Sequence, residues 1–289
     1  MNVKAQRYEL GVQLGASNLV GDVGRTNYIY PLPVNNSEKG SYGIPIYAGA
    51  VFRMNFNPHQ TLRFNLGYAN VYFSDRFAKE NYRKQRAHTN EEIYGVTNNM
   101  FVGEALFEYN FFPVNNEQKN GLLSPYIFAG IGGMLYNQPR MEFQNDFNRD
   151  KNGIPSPPQD EEDFTTIPLP SFAKGLTLSI PFGAGLKYKF NYNWAIFGEF
   201  TFRPTLVDDI DFSWMDDKNI RITYNKDISD PNNSRKSLLQ TEPYKTVAEQ
   251  RVKNVIEPRR IGNPNSKDWI NSISIGLTYS FGRLPCYCE

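Results

Sequence analysis

Residues 269–281 read WINSISIGLTYSF. Trp269, Asn271, Ile273, Ile275, Leu277, Tyr279 and Phe281 fall on one side of an extended chain; Ser272, Ser274, Gly276, Thr278 and Ser280 fall on the other. Successive side chains of a strand point to opposite faces, so the segment predicts a strand with one apolar and one polar face. Working outward from it, seven further segments alternate in the same way. Together they predict strands over about 7–20, 43–56, 61–73, 99–112, 125–137, 176–190, 194–206 and 269–281, all in one domain spanning 1–289. In the fifth, Gly130, Gly132 and Gly133 leave the facing of the strand open.

The connections have a rhythm. Residues 21–42, 74–98, 138–175 and 207–268 are long; Asn57-Pro58-His59-Gln60 and Asn191-Tyr192-Asn193 are tight turns; 113–124 is of medium length; 282–289 is a tail. Every long connection therefore falls at one end and the turns and both termini at the other. An even strand count with short periplasmic turns and long external loops is the asymmetry of outer-membrane barrels.

The polar face carries Glu9, Arg53, Arg63, Glu104, Glu108, Lys187, Lys189, Glu199 and Arg203. Turned outward, these are ordinary solvated residues around a soluble, ligand-holding barrel. Turned inward, they nearly neutralise one another and form an ion-pair network that plugs the lumen. The opposite face is too bulky for an eight-stranded interior, which is only just wide enough for side chains to fill. Aromatics also gather near strand ends (Tyr8, Phe56, Tyr109, Phe111, Tyr188, Phe190, Trp194), as interfacial girdles do. The expectation is thus an all-β, eight-stranded antiparallel transmembrane β-barrel with a plugged polar lumen and long extracellular loops. It would lie in the bacterial outer membrane with lipid against its apolar face and both termini periplasmic.

Composition agrees. Aromatics make up 15% of 289 residues, with 18 Tyr and 21 Phe. Mean hydropathy is −0.54, and no run approaches the roughly 20 apolar residues of a spanning helix. Barrel strands escape that test, since half their residues are polar. A net charge of +1 gives no signal for nucleic acid. The opening residues 1–6 hold no complete secretory signal; Ala5 suits the last residue before a cleavage site, which would leave Gln6 as the mature N-terminus.

Little in the chain points to catalysis. The lumenal carboxylates read as paired structural charges rather than acids and bases, because buried charges persist only when compensated. Asp208-Asp209-Ile210-Asp211 with Asp216-Asp217 offers oxygen ligands for a hard cation, but reads more simply as a solvated loop. Asn148, Asp150, Asn152 and Gly153 echo a calcium loop, with Gln159 where a bidentate Glu belongs. Asp160-Glu161-Glu162-Asp163 reads as a solvated acidic run. His59 and His88 lie in connections without a Ser or Cys nucleophile or zinc spacing. The expectation is a non-enzyme with no cofactor and no metal. The two cysteines, in Cys286-Tyr287-Cys288, lie within the last four residues given. They are exposed thiols, a local disulfide strained by its one-residue spacer, or a covalent or packed junction with a periplasmic partner.

Several motifs carry a family resemblance. YELGVQLGASN at 8–18 followed by Gly21-Asp22, SPYIFAGIGG at 124–133, PFGAGLKY at 181–188, then Glu199, Arg203 and Asp208-Asp209, and finally 279–288, together resemble the PorG-like outer-membrane barrels of Bacteroidota. The resemblance covers nearly all strands and not the loops. Leu206-Val207 stands where relatives often carry an aromatic before the acidic pair, and 207–268 looks expanded. The resemblance implies a component of the type IX secretion system that associates with a periplasmic ring of PorK and PorN and ties it to the outer membrane. A surface adhesion or binding barrel, acting through its long loops, is the alternative.

Overall fold

In the computed structural model of the chain, the described residues are 7–23, 35–36, 40–41, 45–73, 81–82, 96–114, 121–148, 150–151, 155–191, 193–224, 229–230, 233–237, 240–263 and 265–282. The wall of the molecule is built from β1 (Arg7–Val20), β2 (Ile46–Asn55), β3 (Gln60–Phe73), β4 (Val96–Asn110) and β5 (Leu122–Phe147). A sixth crossing follows in two pieces, β6 (Phe164–Ser179) and β7 (Phe182–Lys189). β8 (Trp194–Pro204), then β9 (Ile220–Tyr224) in the last long connection, and β10 (Trp269–Phe281) complete the set. Sequential neighbours pair antiparallel, and the ring closes where β1 meets β10, from Tyr8 opposite Phe281 to Val20 opposite Trp269. Eight crossings thus form a barrel, and closure leaves no unpaired edge in its wall.

Alternation fixes which side chains enter. Val51, Arg53, Arg63, Leu106, Glu108, Phe197 and Glu199 are buried, while Leu10, Val12, Leu14, Phe101, Leu178 and Ile275 are exposed. Side chains as apolar as Leu66 and Ile131 are 72% and 73% exposed. A belt of this kind around a closed sheet is a surface that hydrocarbon wets and water does not. Aromatic pairs ring the turn end: Tyr8 with Phe281, Tyr109 with Phe111, Trp194 with Tyr279. The expected fold class, an eight-stranded transmembrane β-barrel, holds. No helix among the described residues is long and apolar enough to cross a membrane.

Two segments differ from the expectation. The first is 138–175, read as a loop on account of its prolines. Here β5 runs on to Phe147 and pairs with β6 from Gly132 opposite Ser179 to Phe147 opposite Phe164. The lower piece β7 pairs with β8, from Lys189 opposite Ala195 to Phe182 opposite Phe202, and β6 meets that side at its end through the bridge of Ser179 to Thr205. Above the closed wall, the rest of β6 has no second neighbour among the described residues, so Pro168 and Pro170 sacrifice no ladder bond there. The break at Ile180-Pro181 keeps the register, with the Ile180 amide donating to the Pro204 carbonyl (3.1 Å) and the Pro181 carbonyl accepting from Gly130 (2.9 Å).

The second is 207–268. Its β9 lies parallel to β5, Ile220–Tyr224 against Met141–Asn145. Helix α1 (Tyr244–Ile256) buries Tyr244, Ala248, Val252 and Ile256, a stripe of one residue in four that faces the hairpin. Tyr244 and Ala248 pack with Phe147 and Phe164, and Val252 and Ile256 with Phe143. Hairpin, β9 and helix form a folded cap on the loop end.

Two inward glycines matter for the interior. A Cβ on Gly276 would sit 2.3 Å from Cζ of Phe197, and one on Gly185 would sit 2.5 Å from the Tyr126 ring. Each glycine is the direct cross-strand partner of its ring, Gly276 of Phe197 and Gly185 of Tyr126, and its missing side chain is what makes room for the ring.

Candidate functional site

The lumen holds a continuous charged network. Near the turn end, Glu9 Oε1 accepts from Lys187 Nζ (3.1 Å) and from Asn55 (3.0 Å), and its Oε2 lies within ion-pair reach of Lys187 Nζ (3.0 Å) and Arg53 Nη1 (3.7 Å). Arg53 Nε donates to Glu108 Oε2 at 2.9 Å. Above it, Arg63 grips Glu199 with two bonds of 2.6 and 2.7 Å, the fork geometry that gives arginine–carboxylate pairs strength and direction. Tyr126 donates to the same carboxylate at 2.9 Å. Arg63 Nε then donates to Asn65 (2.7 Å), Asn65 to Glu104 (2.9 Å), and Arg203 to Glu104 (2.7 Å) and Ser272 (2.6 Å). The Arg53 guanidinium also lies 4.4 Å from the Phe197 ring centre and that of Arg203 4.6 Å from Tyr47. The ring faces take up guanidinium edges left without a hydrogen-bond partner among the described residues.

All nine sequence-selected charges, Glu9, Arg53, Arg63, Glu104, Glu108, Lys187, Lys189, Glu199 and Arg203, are buried inside the barrel. Eight share the ion-pair and amide contacts above; Lys189 reaches the Val114 carbonyl at 3.4 Å near the turn end. Sequence reasoning missed Tyr126 and Phe197. Both are aromatic rings on the inner face, and the glycine-rich run of the fifth strand hid the first of them.

Toward the loop end the lining becomes apolar. Leu19, Tyr47, Val71, Phe73, Met100, Met134, Tyr136 and Ile270 cluster with Ile210 and Ile261 from the last long connection. That connection seals the mouth. Its Phe212, at φ 58°, packs edge-on to Phe73.

The segment read as a solvated acidic loop is in fact folded inward. Asp208, Asp209 and Asp211 are buried, joined by Asp22 and Asp268. Tyr136 and Gln138 donate to Asp209 at 2.6 and 2.8 Å. Burial, then Asp211 and Asp22, push the Asp208 carboxyl up to about 8. Burial, with Asp211 and Asp208 beside it, pushes Asp268 well above the usual carboxylate range. Asp216 and Asp217 separate from this group, pairing instead with Lys218 and Arg260. No three acidic, His or Cys side chains among the described residues form a ready metal cage.

His59 is held in its turn by the Asn110 carbonyl, 2.8 Å from Nδ1. In the acidic run, the Asp163 carboxylate accepts from the amides of Gln159 and Asp160. Cys286, Tyr287, Cys288, His88, Asn152 and Gly153 lie outside the described residues.

Among solved structures, the chain is similar to the N-terminal β-barrel domain of OprF from Pseudomonas aeruginosa. Identity is 11% over 96% of this chain and 100% of that one, with a TM-score of 0.37. It is also similar to Ail, the attachment invasion locus protein of Yersinia pestis, at 11% identity, the same coverage and a TM-score of 0.40. No curated protein sequence matches. A family profile matches residues 1–157 and 248–289. That is well over half of the chain, and the protein belongs to the family described as Domain of unknown function (DUF6089).

Proposed function

We propose that the protein is a non-catalytic, non-conducting barrel of the bacterial outer membrane that anchors a periplasmic assembly. Its turn end and both termini face the periplasm, and its cap faces outward. The burial of the lumen carries this reading. Arg53, Arg63 and Glu108 have no accessible surface and Lys187 and Phe197 only 1%. A water-filled conduit would leave such side chains wet. A wall braced from within by ion pairs resists deformation and suits a fixed attachment point.

The identity of the partner rests on the motifs at 8–18, 124–133 and 181–188, whose order resembles the PorG-like barrels. On that ground the partner is a ring of the PorK and PorN type, and the assembly the type IX secretion system. Cys286, Tyr287 and Cys288 are the proposed contact, as a packed or disulfide junction. Isolation in mild detergent without reducing agent tests this: ring proteins should accompany the barrel, and recovery of the barrel alone overturns it. Removing 284–289 should weaken that recovery.

A second reading is surface binding through the loops. The ordered cap, with helix Tyr244–Ile256 docked on the long hairpin, favours it. Trimming 212–262 separates the two. Loss of surface binding with secretion intact selects the second reading, and loss of secretion the first.

A further inference from the structure

Three segments meet at the loop-end mouth: 21–23 leaving β1, 207–213 beyond β8, and 262–263 with 265–268 before β10. Aspartates tie them together through main-chain amides. Asp211 accepts from Val23 and Ser213, each at 2.9 Å; Asp268 Oδ2 accepts from Ile210 at 2.9 Å; Asp22 accepts from Asn263 at 2.8 Å.

The other oxygens are the unusual feature. Asp268 is fully buried and its Oδ1 has no hydrogen-bond partner among the described residues; the same holds for Oδ2 of Asp208, a residue only 7% exposed. Asp268 Oδ1 and Asp211 Oδ2 converge over the bare Cα of Gly21. They lie 2.4 and 2.5 Å from the position that a Cβ there would take. One cation at ordinary carboxylate distances spans such a pair. In the lumen, by contrast, Glu9, Glu104, Glu108 and Glu199 each meet a guanidinium or ammonium. Asp211 Oδ2 has the Val23 amide for a partner, whereas the buried Asp268 Oδ1 that faces it across the glycine has none among the described residues; an oxygen so placed is costly unless something positive or a proton lies beside it.

We propose that the mouth is a site for a hard divalent cation, calcium above all, seated between Asp211 and Asp268 with Asp208 beside them. Among the described residues no three carboxylates enclose one point, so the remaining coordination belongs to water and main-chain carbonyls, as hard cations commonly accept. Bound there, the ion locks 207–213 and 265–268 to the end of β1 and holds the cap shut.

The test uses the full chain in detergent, stripped with chelator and then titrated with calcium chloride. Terbium luminescence excited through tryptophan serves as a second probe. One saturable site is expected, in the affinity range of extracellular calcium modules, weakened about tenfold or more in Asp268→Asn and unchanged in Asp217→Asn. Calcium should also slow trypsin cleavage within 214–262 in the parent protein but not in Asp268→Asn. If Asp268→Asn does not fold, as judged by its heat-modifiable gel mobility, Asp208→Asn must show the same loss. Absence of saturable binding at millimolar calcium, or equal binding by Asp268→Asn, overturns the site. So does cleavage that follows pH and ignores calcium, since a shared proton would then hold the carboxylates.

Discussion

Arg53 and Arg63 stand directly opposite one another on β2 and β3, and neither has any accessible surface. Like charges across a ladder repel. Glu108 from β4 resolves the conflict, its Oε2 lying 2.9 Å from Arg53 Nε and 3.8 Å from Arg63 Nη1. Glu199 on Arg63 and Glu9 beside Arg53 add to the compensation, and Glu108 is the carboxylate the two arginines share.

Glu108→Ala should therefore cost about 3–5 kcal/mol, the usual penalty for stranding a buried charge. Adding Arg53→Met to it should recover part of the loss, because the stranded charge goes with the side chain. Urea unfolding in lipid vesicles, followed by tryptophan fluorescence, measures both. Equal midpoints for the parent and Glu108→Ala would mean that water reaches the pair.

Tyr126→Phe removes the hydroxyl that donates to Glu199. Hydrogen bonds to buried charged groups contribute about 1.5–3 kcal/mol. The variant should fold, keep its strand signal in circular dichroism and unfold at a correspondingly lower urea concentration. A loss below a few tenths of a kcal/mol would show that Arg63 alone satisfies the carboxylate.

Gly276→Val should be harsher than its size suggests. Its Cβ collides with the edge of Phe197, whose face supports Arg53. Overpacking of this kind costs about 1–3 kcal/mol before the ring's lost contact is included. Phe197→Ala in the same chain should relieve the clash and restore part of the folded, fast-migrating form on a cold gel. A variant that folds as well as the parent would place the ring elsewhere.

Reconstituted in a planar bilayer, the protein should give no unit conductance under voltage, since the charged middle of the lumen and the apolar layer above it are both closed to water. Discrete ohmic steps from the purified parent protein would contradict the sealed interior.

The barrel itself was legible because alternation every second residue survives in nearly every strand, and the rhythm of connections sorted the two ends. The nine lumenal charges were legible for the same reason: each sits on the polar face of a strand whose other face is plainly apolar. What escaped was whatever broke that period. Pro168 and Pro170 read as loop because a proline normally ends a strand, and only the lack of a second neighbour for β6 among the described residues excuses them. The helix at Tyr244–Ile256 has its stripe at every fourth residue, a single narrow one among charged neighbours, and no alternation of period two marks it. The buried aspartates were misread because an acidic run looks solvated until the chain on either side is seen to fold back over it.

The continuity of β5 and β6 has a mechanical meaning. The hairpin rises from the wall without a break in register, and β5 extends 12 residues past Leu135, the last residue that β4 pairs. At about 3.3 Å per residue that is a post roughly 40 Å long before tilt. With β5 unbroken through its foot, a push on its tip is felt as a tilt of the whole cylinder. A spin label or fluorophore near Asn148 would accordingly report the attitude of the protein in its bilayer, and antibodies raised against that tip should restrain it.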